Sequence, residues 1–167
     1  MNELITRNKR QSYMNTGTSE AETYNLIGDG FTSLSEAKNP TEYSRQYVHE
    51  ATKRTDVVGF APSVSYSADV YSEDPVIEKI INITDNESVG TDAQVDIVTV
   101  NLFEPGTTEG TYVAYKRKYA VIPANVGDGT DALIYTGTFK AVGDAQKGTF
   151  TLSSKTFAPD AAANTGA

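Results

Sequence analysis

Apolar and polar residues alternate most regularly over Ser63–Tyr71. Every second position is apolar, at Val64, Tyr66, Ala68 and Val70, and serine or aspartate stands between them. Because successive side chains of a strand point to opposite faces of a sheet, this alternation predicts a strand with one buried face.

The spacing of apolar residues changes directly after this strand. Four of them form one stripe at helical spacing: Val76, Ile77, Ile80 and Ile81. Asp74 is a favourable N-cap residue, and the proline after it suits the first helical position because that position needs no amide donor. These signals predict one amphipathic helix over about Asp74–Glu87.

Four further segments have the composition of strands: Gln94–Phe103, Thr111–Ile122, Ala132–Gly143 and Gly148–Phe157. The turn-rich linker between the first two predicts that they form a hairpin. The short turn at residues 144–147 predicts a second, terminal hairpin from the last two. The chain is therefore expected to be mainly β, with a single helix.

The segment Thr111–Ile122 is expected to have one apolar and one basic strand face. One of its faces is apolar except for Arg117, and the other face is basic. Lys116-Arg117-Lys118 is the only basic run in the latter half of the chain. Three charges that alternate in direction are few for a nucleic-acid patch, so a solvated strand face is the favoured interpretation.

The segment Thr41–Asp56 has no apolar face. On a strand, one face would hold Tyr43, Arg45, Tyr47 and His49, while the other would hold mainly polar residues. A strand of this kind does not pack on a core. The pattern therefore predicts a hairpin that projects from the domain.

Both ends of the chain are poor in apolar residues. Residues 1–22 show no periodicity, which predicts either a flexible arm or an arm that becomes ordered against a neighbouring copy. Residues 160–167 are small and offer no anchor, and we expect them to be disordered. A single domain would then span residues 23–159, a length that suits one core.

The net charge of −8 is concentrated between Asp69 and Asp96, where eight acids accompany one base. Because phosphate binding needs clustered Lys and Arg, this distribution argues against a protein that grips nucleic acid. It leaves two interpretations open: an acidic face that keeps the protein soluble, and a surface that repels DNA.

The chain offers little for catalysis or metal binding. It has no cysteine, and its one histidine, His49, lies in a polar segment without a positioned nucleophile. The carboxylates of residues 85–96 do not follow the spacing of a calcium loop. We therefore expect no catalytic, cofactor or metal site, although a carboxylate pair for glycoside hydrolysis is not excluded by sequence. No apolar run is long enough to cross a membrane as a helix.

The order of these elements resembles the major tail tube protein of tailed bacteriophages. The shared features are a G-F-x-P-S turn at residues 59–63, the long strand, the Asp-Pro helix, Y-x-G-x-x-K-x-x-G-D at residues 135–144 and G-x-F at residues 148–150. The resemblance covers roughly Thr23–Pro159 and lies in element order and turn residues rather than in a catalytic signature. It implies a β-barrel or sandwich of tail-tube type with extended arms.

The resemblance also implies a structural role in a virion. Subunits of this family form hexameric rings that stack into a tube, and phage DNA passes through the tube without specific binding. The implied partners are further copies of the chain, a tape measure protein, a tail terminator and distal tail proteins. The implied location is the virion tail, assembled in the bacterial cytoplasm.

Two sets of residues are candidates for these functions. The polar hairpin is the expected contact between rings or subunits, through Tyr43, Arg45, Tyr47, Lys53 and Arg54. The acidic segment is the expected source of a negative lumen, through Asp69, Glu73, Asp92 and Asp96.

Two rival functions remain open on the sequence. Another β-type virion component, such as a tail terminator or a capsid decoration protein, would form trimers or a single closed ring. A small β-sandwich binding module would stay monomeric and would need a ligand cleft lined with aromatic residues.

Overall fold

The computed structural model describes residues 2–127 and 130–160, which form eleven strands and one α-helix. The strands are β1 (Arg10–Asn15), β2 (Tyr24–Leu26), β3 (Phe31–Ala37), β4 (Pro40–Arg45), β5 (Arg54–Phe60), β6 (Ser63–Asp69), β7 (Gln94–Pro105), β8 (Thr111–Gly127), β9 (Ile134–Ala141), β10 (Gln146–Thr151) and β11 (Thr156–Pro159). The helix α1 spans Pro75–Asp85. The prediction of a mainly β chain with one helix is confirmed for these residues. The predicted tail beyond Asp160 lies outside them.

Nine of the strands form one curled sheet that resembles half of a barrel. Its main order is β2-β1-β7-β8-β9-β6-β3, and β10 and β11 branch from β8. The open side of the half-barrel lies between the two ends of this order, and residues before and at the start of β1 reach across it to β3. Side chains span this opening: the Arg7 guanidinium donates to the Leu34 carbonyl at 3.2 Å, and Arg10 pairs with Glu36 at 3.5 Å. A cavity of about 270 Å³ lies beneath them.

The predicted hairpin of β7 and β8 is confirmed, but the predicted terminal hairpin is wrong. β9 and β10 do not pair with each other among the described residues. Both run antiparallel to β8, β9 along Tyr119–Gly127 and β10 along Thr111–Lys116. β8 has 17 residues, enough to pair with both strands in succession. The segment at 142–145 therefore bridges a break between two strands that run in the same direction.

The expectation of an arm over residues 1–22 is wrong for β1. This strand lies inside the sheet, between β2 and β7. Tyr13 and Met14 are both buried, and Met14 has no exposed surface. They point to opposite faces of the sheet, and both faces are covered here. A strand that is buried on both faces has adjacent apolar residues instead of an apolar–polar alternation. This explains why β1 was not predicted from the alternation.

Two apolar clusters cover opposite faces of the sheet. The larger one lies between the inner face of the half-barrel and α1, and contains Val95 and Ile97 of β7. The smaller one lies on the opposite face and contains Val98 and Val100 of the same strand. Phe150 belongs to this second cluster. β7 is thus covered on both faces and forms the centre of the fold.

The helix forms for the reasons that its sequence suggests. The Asp74 carboxylate accepts hydrogen bonds from the amides of Val76 and Ile77 at 2.9 and 3.3 Å. The buried residues of α1 are Val76, Ile77, Ile80 and Ile83. The last two predicted residues, Asn86 and Glu87, lie in the turn that ends the helix.

Alkaline unfolding provides a test of the main core. Tyr66 is 3% exposed, and its ring stacks on Phe139 with centroids 4.5 Å apart. Burial raises the pKa of Tyr66 to about 12, above the value of 10.0 that applies when it is exposed. Below pH 10 the Tyr66 hydroxyl keeps its proton in both the folded and the unfolded state. As the pH rises from 10 toward 12, the unfolded state ionises and the folded state does not, so stability falls by on the order of 2–3 kcal/mol.

Urea unfolding at pH 8, 10 and 11 measures this loss. Tyr66→Phe keeps the ring and removes the ionisable group, so its stability should fall less steeply above pH 10. Burial likewise raises the pKa of Tyr24 to about 12, and this second tyrosine should leave part of the pH dependence in the variant. If the free energy of unfolding falls equally steeply with pH in the variant and in the parent protein, Tyr66 is not the source of the loss.

Candidate assembly surfaces

The strands β4 and β5 form a two-stranded ribbon that continues the pair β3–β6. Ala37 lies opposite Ser63 and Pro40 lies opposite Phe60, so the register is the same on both sides of the junction. The Ala61 amide donates to the Asn39 carbonyl at 3.2 Å and extends the ladder between them. We call Pro40–Phe60, with the tip that joins β4 to β5, the projecting ribbon.

Asn39 fixes the base of the projecting ribbon. Its backbone is left-handed, with φ of 47°. Its side-chain amide donates to the Ala61 carbonyl at 3.0 Å and to the Ser63 hydroxyl at 3.1 Å. Asparagine tolerates this conformation better than most residues, and Pro62, between β5 and β6, has no amide to donate to the ladder. The pairing of β3 with β6 ends at this point, and β4 and β5 form a separate two-stranded sheet.

The projecting ribbon exposes apolar side chains. Val57, Val58 and Phe60 are 57%, 62% and 62% exposed. An isolated two-stranded hairpin is only marginally stable in water, and apolar side chains that group on an exposed surface suit burial against a partner. The structure thus places a hairpin where the sequence predicts one, with a surface suited to a contact.

Four of the five predicted contact residues form two pairs near the end of the ribbon. Arg45 donates from Nε to the Tyr43 hydroxyl at 2.7 Å, and Arg54 lies 5.6 Å from the centre of the Tyr47 ring. The fifth, Lys53, lies in the exposed tip. The expected single strand face does not extend to Tyr47, because β4 ends at Arg45 and Tyr47 belongs to the tip.

The tip is organised by Glu50, a residue that the sequence did not single out. Its carboxylate pairs with Arg54, lies 3.8 Å from His49, and accepts a hydrogen bond from the Tyr47 amide at 3.4 Å. Its carbonyl accepts from the Gln46 side chain at 2.9 Å. The only sequence signal is the spacing of Glu50 and Arg54, four residues apart. These bonds give the tip a defined shape within one copy.

The four predicted lumen residues are not brought together. Asp69 and Asp96 alternate with buried residues of β6 and β7, so both point away from the face that α1 covers. Asp96 also lies opposite Lys118. Glu73 and Asp92 lie in the segments before and after α1.

Neither a cluster of metal ligands nor a helix that could span a membrane is found among the residues that the structure describes. In the part of the chain that it describes, no three acidic or histidine side chains group together as metal ligands. No helix within residues 2–127 and 130–160 is long and apolar enough to cross a bilayer.

Comparison with known proteins shows the fold of the chain but not its family. No protein-family model matches the chain, and no curated protein matches it. A chain in the six-fold symmetrised cryo-EM structure of the anti-feeding prophage (AFP) baseplate is similar, with a TM-score of 0.53 and 12% identity. The match covers 88% of this chain and 97% of that one. The two chains share a fold.

Proposed function

We propose that the chain is a structural subunit of a phage tail tube, or of the tube of a related phage-tail-like particle. Copies form six-fold rings, and the rings stack. The observation that supports this most strongly is the fold shared with a chain of the six-fold symmetrised AFP baseplate over nearly the whole length of both. The order of the sequence elements supports the same class.

The open half-barrel offers a physical route to ring formation. β2 and β3 end the main path of the sheet, so each has an edge without a strand partner in that sheet. Unpaired edges attract other strands, and closure into a larger barrel removes them. Pairing between the edges of neighbouring copies would satisfy both strands in every copy of a ring.

The projecting ribbon is the proposed contact between rings. It extends beyond the sheet, exposes Val57, Val58 and Phe60, and presents Arg45 and Arg54 near its end. Phage DNA would pass through the assembled tube without specific binding, past acids that include Asp69, Glu73, Asp92 and Asp96. A tape measure protein, a tail terminator and distal tail proteins are the proposed partners in the virion.

A baseplate component is the second candidate function. It is favoured by the similar chain, which comes from a baseplate structure. Such a component would form one ring at the end of a tube instead of a repeating stack. A monomeric binding module is less well supported, because the ribbon leaves apolar residues in solvent.

Self-association tests the proposal. We expect sedimentation velocity to detect rings or larger assemblies that increase with protein concentration. Single rings that never stack would favour the baseplate component. A single monomeric species at all concentrations would contradict both candidates and leave the binding module.

A further inference from the structure

The sheet has a second exposed end, opposite the projecting ribbon. β6 begins at Ser63, next to the base of the ribbon, and ends at Asp69, about 20 Å away. At the Asp69 end, two backbone hydrogen bonds hold neighbouring segments together: the Asp69 amide donates to the Gly30 carbonyl at 2.8 Å, and the Val70 amide donates to the Leu133 carbonyl at 2.9 Å. We call the three segments that meet here the acidic end: residues 28–30, 69–73 and 131–133.

The acidic end carries negative charge that its own segments do not balance. It contains four carboxylates and no basic residue: Asp29, Asp69, Glu73 and Asp131. None of the four forms an ion pair with another residue that the structure describes. Arg7 lines a cavity together with Gly28, but its guanidinium already donates to the carbonyls of Arg10 and Leu34, at 2.6 and 3.2 Å.

Exposed apolar side chains lie beside these carboxylates. Tyr71 is 58% exposed and Leu133 is 49% exposed. Val126, next to the point where β8 pairs with Ile134, is also exposed. Apolar side chains that group on an exposed surface suit burial against a partner, and the single sign of charge around them favours a partner that is basic.

The tip of the projecting ribbon has this character. Residues 43–54 hold three bases and one carboxylate: Arg45, Lys53, Arg54 and Glu50. Because Glu50 pairs with Arg54, the charges of Arg45 and Lys53 have no carboxylate partner among the described residues. The other two acids of the ribbon lie nearer its base. Between the bases of the tip, Val48 is fully exposed.

We propose that the tip of the projecting ribbon in one ring binds the acidic end of a copy in the next ring. The two surfaces lie beyond opposite ends of β6, because the ribbon continues from the Ser63 end and the acidic end surrounds Asp69. Copies that stack in the same orientation along this strand bring the one onto the other. Because the surfaces differ, the contact is heterologous, and each added ring leaves one of each free. The inference rests on the proposed stacking of rings and names the surface that receives the ribbon.

Charged and apolar residues both contribute to this contact. Asp29 and Asp131 accept hydrogen bonds from the bases of the tip. Val48 packs against Tyr71 and Leu133. The other two carboxylates of the acidic end border the contact and remain available to the channel.

Charge reversal tests the contact. The tip variant combines Arg45→Glu with Lys53→Glu, and the end variant combines Asp29→Lys with Asp131→Lys. Each should raise the protein concentration needed for tubes by more than about tenfold, because each brings like charges together, while single rings still form. The variant with all four substitutions restores opposite charges and should build tubes at close to the parent concentration.

Two controls change the net charge by the same amounts at exposed sites elsewhere on the chain. They are Glu20→Lys with Glu109→Lys, and Lys9→Glu with Lys147→Glu. Both should build tubes at the parent concentration.

Chemical crosslinking provides a second readout that does not alter the charges. The chain has no cysteine, so Val48→Cys and Tyr71→Cys can be made separately, mixed, and treated with a short bis-maleimide under conditions that form tubes. We expect a covalent dimer that contains one copy of each. Glu109→Cys mixed with Val48→Cys should give none.

The outcomes separate this contact from the stacking itself. If the parent protein builds tubes, reversals without effect, or a fourfold variant no better than the two double variants, overturn the contact alone. Tubes of the mixed cysteine variants that yield no crosslinked dimer do the same. Parent protein that never stacks overturns both the contact and the proposed tube.

Discussion

A chain that lacks residues 43–54 should fold normally and fail to build tubes. The deletion, closed by a short Gly-Ser link, removes the ends of β4 and β5 and the tip between them. The side-chain contacts described for these residues stay within the ribbon, as in the pairs Arg45–Tyr43 and Arg54–Glu50. No buried residue of either apolar cluster is lost. We therefore expect the free energy of unfolding to change by less than about 1 kcal/mol.

The loss of assembly should nevertheless be complete if the ribbon supplies the contact between rings. Urea unfolding measures the first expectation, and sedimentation with electron microscopy measures the second. Replacement of Thr107–Glu109, the turn between β7 and β8, by a Gly-Ser link is the matched control, because it alters another exposed hairpin turn. Normal tubes from the deletion variant would show that the ribbon is a solvated hairpin and that this contact is assigned wrongly.

Removal of residues 2–15 should unfold the protein, whereas removal of residues 2–6 should not. The longer truncation takes away β1, which pairs with β7 over residues 10–14 and with β2 over residues 13–15. It opens both apolar clusters, because Met14 belongs to one and Tyr13 to the other. Residues 2–6 are exposed and belong to no strand.

The single substitution Met14→Ala gives a graded version of this test. Met14 is fully buried, and a buried methionine replaced by alanine typically costs about 2–5 kcal/mol. That is a large part of the roughly 5–15 kcal/mol by which a domain is stable. Thermal unfolding followed by circular dichroism would measure both variants. A cooperative transition at the parent temperature after removal of residues 2–15 would contradict the place of β1 in the sheet.

Elements with one buried face were predictable from the sequence. In β6, Val64, Tyr66 and Ala68 are buried and the intervening residues are not, as the alternation requires. In α1, the stripe was right except at its end, where Ile83 is buried and Ile81 is only partly buried. The hairpin of β7 and β8 followed from the turn residues between two long strands. In each case the local pattern and the tertiary environment agree.

Elements whose environment is set by distant partners were not predictable. β1 is short and covered on both faces, so its periodicity is lost. The relation between β9 and β10 depends on the length of β8, because a longer partner allows two strands to pair in succession. Local turn signals such as Asp144 cannot distinguish a reversal of the chain from a break in a strand.

The candidate surfaces were predicted only in part. The lack of an apolar face over Thr41–Asp56 indicated a projecting hairpin, and the structure places one there. The role of Glu50 in the tip and the left-handed backbone of Asn39 depend on geometry that composition does not encode. Arg117 was visible as an exception to its pattern, but the cavities that it lines also involve the ribbon base and residues 141–145, which are distant in sequence.

Negative-stain electron microscopy of the concentrated parent protein decides whether the chain builds tubes. We expect hollow rings with six-fold symmetry, stacked into tubes of constant diameter. Fields of small featureless particles, each the size of a single chain, at every concentration would contradict it.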